Sequence, residues 1–124
     1  MKPEQIIIDS LDFCISQGIK ISKNGMFDWT IKVQNSIPIP SLTPTACDAS
    51  GAVLWSYNQS KDFCRSENWL KETCRILDVD TWWHYRFCMG FDRNYQILSI
   101  NEKDVATKDE VSMLGIKIAK EYLK

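Results

Sequence analysis

The sequence predicts an α+β fold: four or five helices with a small antiparallel sheet built on a β-hairpin over about residues 19–33. Three observations lead there. Ile7, Leu11, Cys14 and Ile15 recur at helical spacing behind Pro3. Phe27, Trp29, Ile31 and Val33 alternate with Asp28, Thr30 and Lys32, the period of a half-buried strand. Val111, Leu114, Ile118 and Leu123 return to a helical period near the other end. With 44% apolar residues in 124, a single domain spanning 1–124 has enough side chain to bury a core of its own.

The first helix is expected over about residues 3–17. Proline costs nothing in a first helical turn, because its missing N–H would have no partner there. Gly18 suits the left-handed position after the helix. Next, Ile19 and Ile21 alternate with Lys20 and Ser22, and Asn24-Gly25 offers a turn. Parity selects the loop. A two-residue loop sets Ile21 opposite Asp28 and puts the two apolar rows on opposite faces. A three-residue loop over 23–25 pairs Ile21 with Phe27 and Ile19 with Trp29, leaving one apolar face.

Pro38, Pro40 and Pro44 keep residues 36–45 extended. Thr45 reads as an N-cap with Asp48 as its reciprocal partner. The helix it opens, over about 46–57, contains Ala49, Gly51 and Ala52, small enough to let another element approach closely. Asp48 is the sole charged residue between Lys32 and Lys61, so this neutral stretch is expected in the core or at a subunit contact. Ser66 is expected to cap a helix reaching Leu77, with Leu70, Thr73, Cys74 and Leu77 inward. Tyr95–Ile100 reads as a short strand. Thr107-Lys108-Asp109-Glu110 reads as a capping box for the last helix.

Residues 81–91 admit two readings. As a helix, Asp80 caps the start and Gly90 stops the end. As a strand, Trp83, Tyr85, Phe87, Met89 and Phe91 share one face, and strand propensity is high. The caps at both ends favour the helix.

Cys47-Asp48-Ala49-Ser50-Gly51-Ala52-Val53-Leu54, then Phe87-Cys88-Met89-Gly90-Phe91-Asp92, then a final amphipathic helix with Gly115 at its centre, together resemble features of small uncharacterised prokaryotic and phage proteins. The resemblance covers the second half of the chain. It implies that the middle motif sits at a helix end, and implies no activity and no site residues.

Trp82, Trp83, His84, Tyr85, Arg86 and Arg93 are the candidate ligand-binding residues. Rings beside an arginine can stack a base, nucleotide or peptide. His84 is the chain's one histidine, and histidine titrates near neutrality unaided. With Cys47 or Cys88 it could form a nucleophile and base. No orienting carboxylate announces itself, although Asp48 and Asp80 are available, so no catalytic residue is assigned. One histidine and scattered cysteines lack the paired spacing of zinc ligands, so no metal is expected. No Gly-rich phosphate loop is present, so no cofactor is expected. Glu67, Glu72, Asp78 and Asp80 match neither a glycosidase pair nor a calcium loop and read as solvated helix ends.

A net charge of −1 with no basic run argues against nucleic acid. The chain shows no membrane-length apolar run and no signal-peptide core. Its five cysteines are odd in number and none are paired as Cys-x-x-Cys, which favours free thiols and a cytoplasmic location. The expected function is that of a small soluble interaction or accessory protein, non-enzymatic, pairing with a protein partner or with itself as a homodimer. A small-molecule or nucleotide-binding domain using the aromatic and arginine cluster is the alternative. A Cys/His-dependent enzyme comes third.

Overall fold

A computed structural model of the protein describes residues 2–23, 26–29, 31–40, 43–59, 68–92 and 109–123. In chain order the elements are α1 (Pro3–Ser16), β1 (Lys20–Ile21), β2 (Phe27–Asp28), β3 (Ile31–Gln34), β4 (Ile37–Pro40), β5 (Ala46–Cys47), α2 (Ala49–Asn58), α3 (Trp69–Leu77), α4 (Thr81–Asp92) and α5 (Glu110–Tyr122). The fold is α+β, as the sequence predicts. Among the described residues no helix is long and apolar enough to cross a membrane.

The first helix forms where the sequence places it. Pro3 occupies its first turn and Ile7, Leu11 and Cys14 turn into the core. Ile15, expected inward, is exposed instead. Gly18 follows with a φ of +80°, the left-handed conformation that ends the helix.

The sheet is built differently from the expected hairpin. β1 and β2 do not pair with each other. β5 lies between them, parallel to β1 (Lys20 opposite Ala46) and antiparallel to β2 (Phe27 opposite Cys47). Parity requires an apolar row on one face, and a third strand arriving from residues 46–47 satisfies that need equally well. The sheet is therefore mixed, not antiparallel throughout. Thr45 is not a helix cap. Its backbone N–H and its hydroxyl both donate to Asp28 O, at 2.7 and 3.1 Å, fastening β5 to β2.

Among the described residues the hairpin is β3–β4, joined by Asn35-Ser36. Both turn residues have positive φ, 53° and 64°, which matches the right-handed twist of a tight two-residue connection. Pro38 and Pro40 stand opposite Val33 and Ile31. Those are the positions whose N–H groups would point away from the ribbon, so the prolines remove no bond within it. Val33 and Ile37 are 73% and 61% exposed.

α2 is the central helix. Asp48 caps it, accepting the Gly51 N–H at 2.8 Å, and every residue from Ala49 to Trp55 is buried. It packs on α1, and the Trp55 indole donates to Gln17 Oε1 at 2.8 Å. Ala46, Cys47 and the run from Ala49 to Trp55 thus take part of the neutral stretch into the core, while Val33 to Pro38 stay outside.

Residues 81–92 are a helix. Asp80 Oδ1 accepts the Trp83 N–H at 2.8 Å at its start. Gly90 does not stop it, and the helix continues to Asp92. The glycine serves packing instead. A Cβ on Gly90 would overlap the backbone of Ser112, and a Cβ on Gly115 would overlap Phe87 O and lie 2.8 Å from Phe91 N. α4 and α5 therefore meet backbone to backbone, through a glycine contributed by each. Asp109 caps α5 by accepting the Ser112 N–H at 2.9 Å. Tyr122 and Lys117 tie α5 to α1 through Asp12 (2.7 Å) and Glu4 (3.2 Å). The predicted strand at Tyr95–Ile100 and the capping residues Ser66 and Thr107 lie outside the described residues.

Candidate functional site

The start of α2, the first turn of α3 and one face of α4 line a cavity of about 380 Å3. That is the small end of the range for ligand pockets, roughly 300–1,000 Å3. Met26, Trp69, Leu70, Thr81 and Tyr85 supply much of its wall. Its remaining wall is five groups able to hydrogen-bond or ionise: Asp48 and Ser50 from α2 and the residue before it, and His84, Cys88 and Asp92 from α4.

Helical spacing brings these groups together. His84, Cys88 and Asp92 are four residues apart and share one face of α4. Ser50 stands in the first turn of α2, where the Asp48 cap fixes the backbone. Ser50 Oγ and His84 Nε2 meet at 2.7 Å. Cys88 Sγ lies 3.7 Å from His84 Nε2 and 3.8 Å from Ser50 Oγ, at the limit of a sulfur hydrogen bond. The Trp69 ring meets the imidazole edge-on, 5.9 Å between centroids. His84 and Ser50 are only 5% and 7% exposed.

Enclosure sets the charge states. Burial holds the His84 imidazole below its ordinary pKa, so it is neutral at pH 7. Burial also pushes the Cys88 thiol up to about 12, and the negative charges of Asp92 and Asp48 add to that effect. The Asp48 carboxyl is raised to about 7, first by burial and then by repulsion from Asp92, against the Gly51 N–H bond that lowers it. A thiol this basic is a poor nucleophile. Cys47, the other cysteine considered as a partner for His84, is fully buried and hydrogen-bonds Cys14 instead.

The candidate residues read from the sequence separate here. His84 and Tyr85 line the cavity. Trp82 does not: it is 53% exposed, with the Arg86 guanidinium 5.7 Å above its ring. Arg86 Nε also lies 3.5 Å from Asp109 Oδ2, reaching across to the start of α5. Trp83 stacks on Phe87, 5.6 Å between centroids and 3° from parallel, and belongs to the core margin. Arg93 lies outside the described residues. Among the described residues no group of three histidine, cysteine or acidic side chains could hold a metal ion.

Sequence reasoning missed Ser50, Met26, Trp69, Leu70, Thr81 and Asp92 as parts of one site. One local signal existed. Asp48-Ala49-Ser50-Gly51 is a capped helix start with polar groups at its N-terminal end. Nothing local links it to His84, thirty-four residues away.

No protein-family model, curated protein or solved structure matches this chain.

Proposed function

We propose that this domain binds a small organic molecule in the cavity between α2, α3 and α4. The supporting observation is the convergence of Asp48, Ser50, His84 and Asp92, from two separate elements, on one partly apolar cavity. Pockets that fix a ligand's orientation combine an apolar wall with a few placed polar groups. The role is binding, not catalysis. His84 Nε2 meets Ser50 Oγ, and the Cys88 thiol, 3.8 Å from Nδ1, is pushed up to about 12 and is a poor nucleophile. The cytoplasmic location is part of the same reading, supported by the free thiols of Cys14, Cys74 and Cys88.

Thr81 tests the proposal, because it lies on the cavity wall yet is exposed. In a thermal-shift screen with a library of small fragments, some should raise the Tm of the wild type. The same fragments should leave Thr81→Trp unmoved, while the unliganded variant melts within about 2 °C of the wild type. Fragments that stabilise both proteins equally, or none that stabilise the wild type, refute the pocket.

A second reading keeps the chain as a small interaction or accessory protein that pairs with a protein partner or a second copy. It is supported by Val33 and Ile37, large apolar side chains exposed on the β3–β4 ribbon. Self-association predicts a sedimentation coefficient that rises with concentration and falls back in a Val33→Lys, Ile37→Lys variant. A concentration-independent value sinks the homodimer.

A further inference from the structure

We infer that the cavity selects a small organic cation, an amine or ammonium on an apolar body, held by Asp48 and Asp92 against the rings of Trp69 and Tyr85. This rests on the ligand-pocket reading and goes further, naming the class of ligand.

The geometry points to positive charge from three sides. Asp48 and Asp92 both stand on the cavity wall, one before α2 and one at the end of α4, so the two carboxylates converge from different elements. Trp69 and Tyr85 line the same space. Aromatic faces carry the negative end of the ring quadrupole, and cages of rings with an acid are a recurrent solution for ammonium groups. Met26 and Leu70 supply the surface for an apolar body.

The neighbouring groups are set to leave that charge role to the carboxylates. His84 lines the same cavity from α4, but burial holds its imidazole below its ordinary pKa, so it brings no competing positive charge. Cys88, also on α4, stays a thiol. Ser50, on α2, is uncharged and engaged with His84. Asp92 repels Asp48, which is one reason that the Asp48 carboxyl ionises only near neutrality. A cation between the two relieves this repulsion, so binding and ionisation of Asp48 favour each other. With the carboxyl at about 7, its ionised share rises from about a tenth at pH 6 to about nine-tenths at pH 8. Affinity for a cation should therefore tighten about tenfold over that interval.

Isothermal titration calorimetry with benzylamine, benzyl alcohol and benzoate tests the class, using one ring carrying a positive, a neutral and a negative group. The wild type should bind benzylamine about tenfold more tightly than benzyl alcohol at pH 8, with benzoate weakest. The preference for the amine should shrink about tenfold at pH 6, although the amine remains a cation. Asp48→Asn keeps a capping side chain and should lose both the preference and its pH dependence. Thr81→Trp should abolish all binding. Benzyl alcohol or benzoate binding as tightly as the amine, and blocked by Thr81→Trp, overturns the cation class and leaves the pocket standing. Amine binding that survives Thr81→Trp places the amine elsewhere and overturns the inference. Failure of all three probes on the wild type overturns it too, and the fragment screen then judges the pocket on its own. Should Asp48→Asn not fold, the pH dependence of the wild type decides.

Discussion

Gly115→Ala should lower the unfolding free energy by about 3 kcal/mol, read as a lower urea midpoint with an unchanged slope. Helix propensity alone predicts the opposite sign, because alanine is better than glycine in a helix interior by about 1 kcal/mol. Packing decides between them. The new methyl group would meet Phe87 O, Phe91 N and the Gly90 carbonyl carbon, all backbone atoms of α4. A flexible side chain could swing aside, but a backbone cannot. Relief requires α4 and α5 to separate, and interiors at crystal-like density tolerate that poorly. Gly90→Ala should fail in the same way, against Ser112. A variant as stable as the wild type would show that a layer of side chains lies between the two helices.

Asp48→Asn should stabilise the protein at pH 8 by up to about 4 kcal/mol and change little at pH 4. The sign follows from the direction of the shift. The folded carboxyl ionises near 7, against 3.8 for an ordinary aspartate, so the folded protein holds this proton more tightly than the unfolded chain does. The favourable contribution is complete below about pH 4 and is lost as pH rises to 7. Above that, the wild type keeps a charge that the fold opposes. Asparagine removes the charge and remains a good N-cap for α2. Asp109, held low by the Ser112 N–H and untouched by Asp48, cancels from the difference between the two stability curves. Guanidinium chloride screens charge, so urea titrations at pH 4, 6 and 8 are the suitable measurement. A gap that does not grow with pH would mean that Asp48 ionises normally. The predicted gain in stability accompanies a predicted loss of cation binding. That opposition is the usual signature of a group kept for a site instead of for the fold.

Local rules in the sequence read some elements well. Pro3 and Gly18 bound the first helix because their constraints act within one or two residues. The cap at Asp80 shows the start of α4 for the same reason. Gly90 misled because a glycine has two uses, φ freedom and thinness, and the choice between them depends on Ser112, twenty-two residues on. The sheet misled through distance as well. A parallel partnership between Lys20 and Ala46 has no local signature, whereas a nearby antiparallel hairpin does. At the candidate site, His84 could be singled out because it is unique. Its serine could not, since only the packing of α4 against the start of α2 brings Ser50 within 2.7 Å.

The joint between α4 and α5 also bears on how such a protein can diverge. Neither Gly90 nor Gly115 can enlarge unless the backbone of the other helix moves. The two positions are thus locked in place by their mutual contact, and the opposite face of α4, carrying His84, Cys88 and Asp92, keeps its position and direction. Thr81, Leu70 and Tyr85 on the cavity wall are under no such lock, being exposed or half-buried. Those wall residues can be exchanged one at a time while the frame that carries His84, Cys88 and Asp92 stays unaltered.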